Sequence, residues 1–186
     1  MNYYLPTTLE VGGVERKIRT DYRVMLDIFE MFNDPDMTSQ EKALAAIMIL
    51  YEDFEKIKPK DYDEALKKCF WFMNGGKEDN EENRKKPTLV NWEKDFSIMV
   101  TPINKIAGQD IRGMNMHWWT FLSYYMEIDS KCVFATVVSI RSKLKKGGIG
   151  KLDKAEKQFY YENKELVDLP VRLSQEEQDL LDAWGV

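Results

Sequence analysis

The sequence predicts a mainly α-helical protein: a bundle of about seven to eight helices with a small β-hairpin near its N-terminus. Apolar residues recur every three or four positions through most of the chain, which is the spacing of one helix face. The clear β signal is Gly12-Gly13 between Val11 and Val14, a pair typical of a two-residue hairpin turn. We therefore expect a hairpin over about residues 8–19 and helices in the rest.

Capping and turn residues delimit three helices in the first half of the chain. The first helix is expected to begin at Thr20 or Asp21, and the second at Thr38, where Glu41 completes a capping-box pattern. Gly75-Gly76 is expected to end the third helix. The expected inward faces are Met25, Ile28, Phe29 and Phe32, then Leu44, Ile47, Met48, Tyr51 and Phe54, then Tyr62, Ala65, Leu66, Cys69, Phe70 and Met73.

A polar segment separates the two helical halves. Residues 77–87 carry no apolar side chain other than that of Pro87, so we predict a solvated, mobile loop over about residues 76–88. Each half is too small to be an independent domain, and the chain is predicted to be a single domain over residues 1–186.

The second half predicts further helices by the same spacing. Pro102 lies inside the first of them and is expected to kink or shorten it. An aromatic helix follows over about residues 115–127, and Ser130 is the expected cap of the next one. Two more helices are expected at about residues 153–166 and 175–184.

Composition argues against several classes of protein. Lys and Arg number 27 against 32 Asp and Glu, a formal charge of -5, so a dedicated nucleic-acid binder is disfavoured. His117 is the single histidine, and Cys69 and Cys132 form no CxxC pair, so we expect no metal site, no cofactor and no enzyme. Both cysteines are expected to be buried, reduced thiols. No signal peptide or membrane span is expected, which favours a soluble protein of the cytoplasm.

Three motifs have a structural and a functional interpretation. The Gly147–Gly150 stretch reads Gly-Gly-Ile-Gly and favours a linker over a phosphate loop, because no strand precedes it. The lysines around it are typical of a solvated helix end, and the functional alternative is that they contact an acidic surface of another protein. His117 beside Trp118-Trp119 favours packing or an interface over catalysis, since successive helical residues point in different directions.

Several of these segments resemble a bacteriophage family conventionally named for gene product fifteen. They are Asp21-Tyr22-Arg23-Val24-Met25-Leu26, Phe70-Trp71-Phe72-Met73-Asn74-Gly75, Met116-His117-Trp118-Trp119-Thr120-Phe121, Ile140-Arg141-Ser142 and Lys157-Gln158-Phe159-Tyr160. The resemblance covers roughly residues 9–181. Members occur in the tail modules of long-tailed, non-contractile phages and in prophages of Gram-positive bacteria.

The resemblance implies tail assembly, because genes of this family lie between those of the major tail protein and the tape measure protein. It implies a non-enzymatic chaperone that binds the tape measure protein, helps recruit tail tube subunits, works in the host cytoplasm and is absent from the mature virion. A structural tail or head–tail connector component is the alternative, and an enzyme using His117 is a third. Whether the chain forms a homo-oligomer is left open, and no nucleic acid or membrane is expected as a partner. The expected partner-binding residues are Trp118, Trp119, Phe121, Tyr124, Tyr125, Trp71, Lys145 and Lys146, with the loop at residues 77–87 as a further candidate.

Overall fold

A computed structural model describes residues 4–78 and 88–170. These residues are mainly helical, with eight α-helices and one small antiparallel hairpin among them, which confirms the predicted fold class. They form two compact units, one of residues 4–78 with 115–122 and the other of residues 88–114 with 123–170. Each unit is described by itself, and the single domain stays a prediction.

The predicted hairpin is confirmed in the first unit. Strands β1 (Thr8–Val11) and β2 (Val14–Lys17) pair antiparallel, with Val11 opposite Val14. Gly12 and Gly13 have φ of 60° and 73°, the left-handed conformation that a turn of this length requires and that glycine adopts without strain. Alternation along β1 buries Leu9 and Val11.

Three helices complete most of the first unit: α1 (Tyr22–Phe32), α2 (Ser39–Leu50) and α3 (Tyr62–Met73). The predicted N-terminal caps of α1 and α2 are confirmed. The Asp21 carboxylate accepts from the Arg23 amide, and Thr38 and Glu41 form both halves of a capping box. These bonds satisfy amides that a helix start leaves without an intrahelical partner.

The predicted inward face of α2 is wrong in part. Leu44 and Met48 are 39% and 49% exposed, whereas Ala46, Ile47 and Leu50 are buried. Because residues 43–50 are apolar on every side of the helix, periodicity could not tell the buried face from the exposed one. The helix also ends at Leu50, so that Tyr51 is its buried C-cap and Phe54 belongs to a separate short 3-10 helix.

The second unit contains α4 (Trp92–Ala107), α6 (Val133–Gly147), α7 (Lys154–Glu162) and α8 (Lys164–Val167). Helix α5 (Trp118–Met126) contributes residues 118–122 to the first unit and 123–126 to the second. A core cluster in the second unit joins α6, α7 and α8 and consists of Val137, Ile140, Leu152, Tyr160 and Val167. The helix predicted at residues 175–184 lies outside the described residues.

Three local predictions in the second unit need correction. Helix α4 continues past Pro102 to Ala107 and so is not shortened there, with Met99, Val100 and Ile103 buried on both sides of the proline, while the alternative of a kink stays a prediction. The cap of α6 is the sulfur of Cys132, which accepts from the Ala135 amide, in place of Ser130. Cys132 is accordingly half-buried, whereas Cys69 is buried as expected.

The helix predicted over residues 153–166 is divided into α7 and α8. Asn163 lies between them with φ -128° and ψ 35°, outside the helical region, and its side-chain amide donates to the Phe159 carbonyl. The asparagine side chain competes in this way with the helical backbone hydrogen bonds, so one helix ends before this residue and the next begins after it.

Candidate functional site

Helix α5 begins at a histidine that bonds to the backbone through both ring nitrogens. The Trp119 amide donates to Nδ1 of His117 at 3.0 Å, and Nε2 lies 2.9 Å from the Pro6 carbonyl oxygen. Nδ1 accepts, so Nε2 carries the proton and donates. His117 thereby caps α5 and ties it to the segment that leads into the hairpin, and both nitrogens are engaged.

The two tryptophans at the start of α5 bond to the end of α3. The indole N–H of Trp118 donates to the Met73 carbonyl at 2.9 Å, and that of Trp119 donates to the Phe72 carbonyl at 2.8 Å. The last carbonyls of a helix have no intrahelical donor, and the Trp118 indole satisfies that of Met73, whereas the Phe72 carbonyl accepts from the Gly75 amide as well as from Trp119. Although their bonds are alike, Trp118 is fully buried and Trp119 is half-buried.

A half-exposed aromatic surface lies beside these bonds, and we call Trp71, Trp119 and Gly76 the tryptophan surface. The rings of Trp71 and Trp119 meet edge to face, with centroids 5.4 Å apart. Gly76 packs directly against them: a Cβ built on it would lie 2.8 Å from Cη2 of Trp119. The Trp119 ring is therefore held by its hydrogen bond to the Phe72 carbonyl, and both rings lie against Gly76 in the turn that follows α3.

Adding a methyl group at Gly76 tests this packing. Gly76 has φ +81°, so Gly76→Ala combines backbone strain with a clash against Trp119, and we expect the free energy of unfolding to fall by about 3 kcal/mol. Gly108→Ala is the matched control, because Gly108 has φ +73° and open space around it; we expect a loss of about 1 kcal/mol. Urea denaturation measures both, and equal losses would show that Gly76 does not support the tryptophans.

The structure places the other predicted partner-binding residues in different environments. Trp118 and Phe121 are 0% exposed and have no surface to offer a partner, since they fill the core of the first unit beside Tyr22, which stacks on Phe121 at 4.8 Å. Tyr124 and Tyr125 belong to the second unit and are half-buried. Tyr125 contacts Trp92 and Phe134, and burial raises the pKa of its hydroxyl. Partner binding at Tyr124 and Tyr125 stays a prediction, and most of the loop at residues 77–87 lies outside the described residues.

The two predicted lysines are exposed, as part of what we call the lysine surface: Lys145, Lys146, Ile149, Lys151 and Lys154. These residues come from the end of α6, a 3-10 turn (Ile149–Lys151) and the start of α7. Lys145 donates to the Thr88 carbonyl at 2.7 Å, and nearby Lys143 pairs with Glu156. The pKa of the Glu156 carboxyl lies below its usual value, chiefly because of that lysine.

Sequence reasoning missed a buried ion pair in the second unit. Arg141, included above only as part of the resemblance, is 3% exposed and bonds to both carboxylate oxygens of Asp95 at 2.6 and 2.9 Å. The remaining donors of its guanidinium reach the carbonyls of Leu89, Leu166 and Val167. A signal was available, because Arg141 follows Val137 by four residues and so occupies the inward face of α6.

Other groups offer little for catalysis or metal binding. Burial raises the pKa of the Cys69 thiol to about 12, which keeps it protonated at neutral pH. Among the described residues, no group of three or more His, Cys, Asp or Glu side chains could hold a metal ion. A cleft in the first unit is lined by Arg19 and Arg23, but both are engaged, Arg19 with carbonyls at the end of α2 and Arg23 with Asp21 and Asn115.

Fold and site define a class: a mainly helical protein with a rigid aromatic surface in one unit and a lysine-rich surface in the other. The chain belongs to the bacteriophage Gp15 protein family, whose model matches residues 1–169. It is therefore a bacteriophage protein, and the family indicates a structural or assembly role. No curated protein and no solved structure matches it in the corresponding comparisons. No helix among the described residues is both long and apolar enough to cross a membrane.

Proposed function

We propose that this protein is a non-enzymatic tail assembly chaperone that binds the tape measure protein and helps recruit tail tube subunits. The family match over residues 1–169 carries the proposal, because genes of this family lie between those of the major tail protein and the tape measure protein. A protein of this function works in the host cytoplasm and is absent from the finished virion. The engaged nitrogens of His117 and the buried Cys69 thiol support a role without catalysis.

The tryptophan surface is the part of the described structure best suited to the tape measure protein. A long helical partner presents apolar side chains along one face, and tryptophan is one of the residue types that most often dominate the binding energy of protein interfaces. Because Trp119 is already fixed by its bond to Phe72 and by its contact with Gly76, binding orders little additional side-chain freedom.

Co-expression with the matching tape measure protein tests the proposal. We expect the tape measure protein to remain soluble and to elute with this protein on size exclusion, because its apolar face is then covered. Trp71→Ala is expected to weaken the complex by about 2 kcal/mol, some thirtyfold in Kd, as loss of a central aromatic contact does. Tyr161→Ala is the matched control: Tyr161 is 64% exposed but lies in the other unit, so the Kd should not change.

Two results would contradict the proposal. An insoluble tape measure protein with no complex on size exclusion would refute chaperone activity, provided that circular dichroism shows this protein to be folded. Stoichiometric presence in purified virions, measured by mass spectrometry, would favour the structural tail or connector component instead. Equal effects of Trp71→Ala and Tyr161→Ala would leave chaperone activity in place but remove the tryptophan surface from it.

A further inference from the structure

Lysines border the tryptophan surface on the side of α3. Lys67 and Lys68 precede Trp71 by four and three residues, so both lie beside it, one turn earlier on the same face of the helix. Both lysines are exposed. Lys77 is exposed as well and directly follows Gly76. We call Lys67, Lys68 and Lys77 the basic border of the tryptophan surface.

The backbone turn after α3 fixes the position of Lys77. The Gly75 amide donates to the Phe72 carbonyl at 3.1 Å, and the Gly76 amide donates to the Trp71 carbonyl at 2.9 Å. These two bonds, with φ of 67° and 81° at the two glycines, form a Schellman motif, which closes the end of a helix. Lys77 therefore lies next to the last turn of α3, the turn that carries Trp71.

No carboxylate in the described part of the chain pairs with the basic border. The ion pairs among residues 4–78 and 88–170 include none of its three lysines. The nearest acidic residues before Trp71 on α3 are Asp63 and Glu64, which lie two turns away, and Glu64 accepts from the Gly12 amide at 2.9 Å. The charges of the three lysines are therefore available to a partner.

The basic border contrasts with the rest of the first unit. Residues 67–78 and 115–122 carry three lysines and one acidic residue, Glu78. Residues 4–66 carry 14 acidic and 8 basic side chains. A partner whose apolar face is flanked by carboxylates is attracted to the basic border and repelled by the acidic remainder of this unit. The charge pattern therefore favours docking of such a partner at the tryptophan surface.

We propose that the tryptophan surface binds an acidic amphipathic helix, whose apolar stripe packs on Trp71 and Trp119 and whose Asp or Glu side chains pair with the basic border. The inference rests on the proposed function, because the helix is one of the tape measure protein, and it adds the chemistry by which that helix is recognised. Contact with the two rings supplies affinity, and the lysines supply orientation and the preference for an acidic partner.

Two synthetic helical peptides test this preference on the full-length protein. They have the same length and the same leucine stripe, but glutamates flank the stripe in one peptide and lysines in the other. Fluorescence anisotropy of a terminal fluorescein measures each Kd. We expect the glutamate peptide to bind about tenfold more tightly at low salt, because exposed ion pairs replace repulsive contacts. The difference should decrease at high salt, where exposed charges are screened.

A charge-reversed variant locates the preference on the protein. In Lys67→Glu/Lys68→Glu, the glutamate peptide should bind about tenfold more weakly, whereas the lysine peptide should bind no more weakly than to the wild type. Lys151→Glu/Lys154→Glu is the matched control, because it changes the total charge equally at two exposed lysines of the second unit, and both Kd values should stay unchanged. If the first variant fails to fold, as judged by circular dichroism, Lys67→Gln/Lys68→Gln replaces it, with an expected loss of about threefold.

Four outcomes would overturn the proposal. Two concern the peptides: a glutamate peptide that binds no more tightly than the lysine peptide, or equal losses in the two charge-reversed variants. A labelled oligothymidylate that binds more tightly than the glutamate peptide would identify a single-stranded nucleic acid as the occupant. Self-association in sedimentation experiments that Trp71→Ala abolishes would identify a second copy of the chain.

Failure of this inference is distinguishable from failure of the proposed function. If a tape measure complex forms and depends on Trp71 while the two peptides bind equally, only the preference for an acidic helix is refuted. If the glutamate peptide binds as expected but the tape measure protein forms no complex, chaperone activity is refuted and binding of an acidic helix is supported.

Discussion

Replacing Arg141 with methionine is expected to lower the free energy of unfolding by about 3–5 kcal/mol, among the largest effects of any single substitution in this chain. The substitution leaves the Asp95 carboxylate 0% exposed and without its bidentate partner. The carbonyls of Leu89, Leu166 and Val167 also lose their donor, and a buried acceptor without a partner costs free energy of its own. Urea denaturation followed by circular dichroism measures the loss.

The matched control for Arg141→Met is Arg112→Met. Arg112 pairs with Asp110 at 2.6 Å, but the two side chains are 62% and 49% exposed, and surface pairs contribute little. We expect its free energy of unfolding to change by less than about 1 kcal/mol. If Arg141→Met lowers the free energy of unfolding as little as this control, the ion pair with Asp95 does not stabilise the second unit. Restored stability in Asp95→Leu/Arg141→Met would identify the unpaired carboxylate as the main cost.

Trp118→Ala is expected to lower the free energy of unfolding by about 3–5 kcal/mol, because it empties the largest fully buried side-chain volume among the described residues and removes the donor to Met73. Its neighbour Trp119 is the comparison. Trp119→Ala removes an equivalent hydrogen bond from a half-buried ring, and we expect a loss of about half that size. Thermal melts of the two variants measure the difference.

The variants Trp118→Ala and Trp119→Ala also distinguish an effect on stability from an effect on partner binding. At temperatures where both variants remain folded, Trp119→Ala should weaken the complex with the tape measure protein, whereas Trp118→Ala should bind as the wild type does. A Trp118→Ala protein that is folded but does not bind, beside a Trp119→Ala protein that binds normally, would contradict the assignment of the two residues.

Local signals in the sequence predicted the hairpin and the starts of α1 and α2. Gly12-Gly13, Asp21 and the Thr38–Glu41 box act within a few residues, so their effect could be anticipated without knowing the fold. The exposed side of α2 could not be predicted, since an all-round apolar helix buries whichever face its neighbours cover.

The candidate sites were predicted only in part, because exposure depends on contacts between distant segments. Trp118 and Trp119 are adjacent and chemically identical, and both bond to the end of α3, more than 40 residues earlier. What differs is their neighbours, since Phe29 packs against the Trp118 ring and Trp71 against the Trp119 ring. Lys145 and Lys146 were expected at the surface because they lie at a helix end, where cations are locally favourable. The inward position of Arg141 could be read from its spacing to Val137, but its partner could not be predicted, because nothing local reveals that Asp95 lies opposite it.

The Arg141 cluster also has a consequence for the order in which the second unit folds. Its bonds join residues that are 25, 26, 46 and 52 positions apart, so each one closes a long loop of chain. Long loops lose more entropy on closing than local turns do, so we expect these contacts to form after the transition state for folding. Late contacts act on the rate of unfolding and hardly on the rate of folding. The Arg141 guanidinium is thus expected to slow the unfolding of the second unit and to leave its rate of folding nearly unchanged.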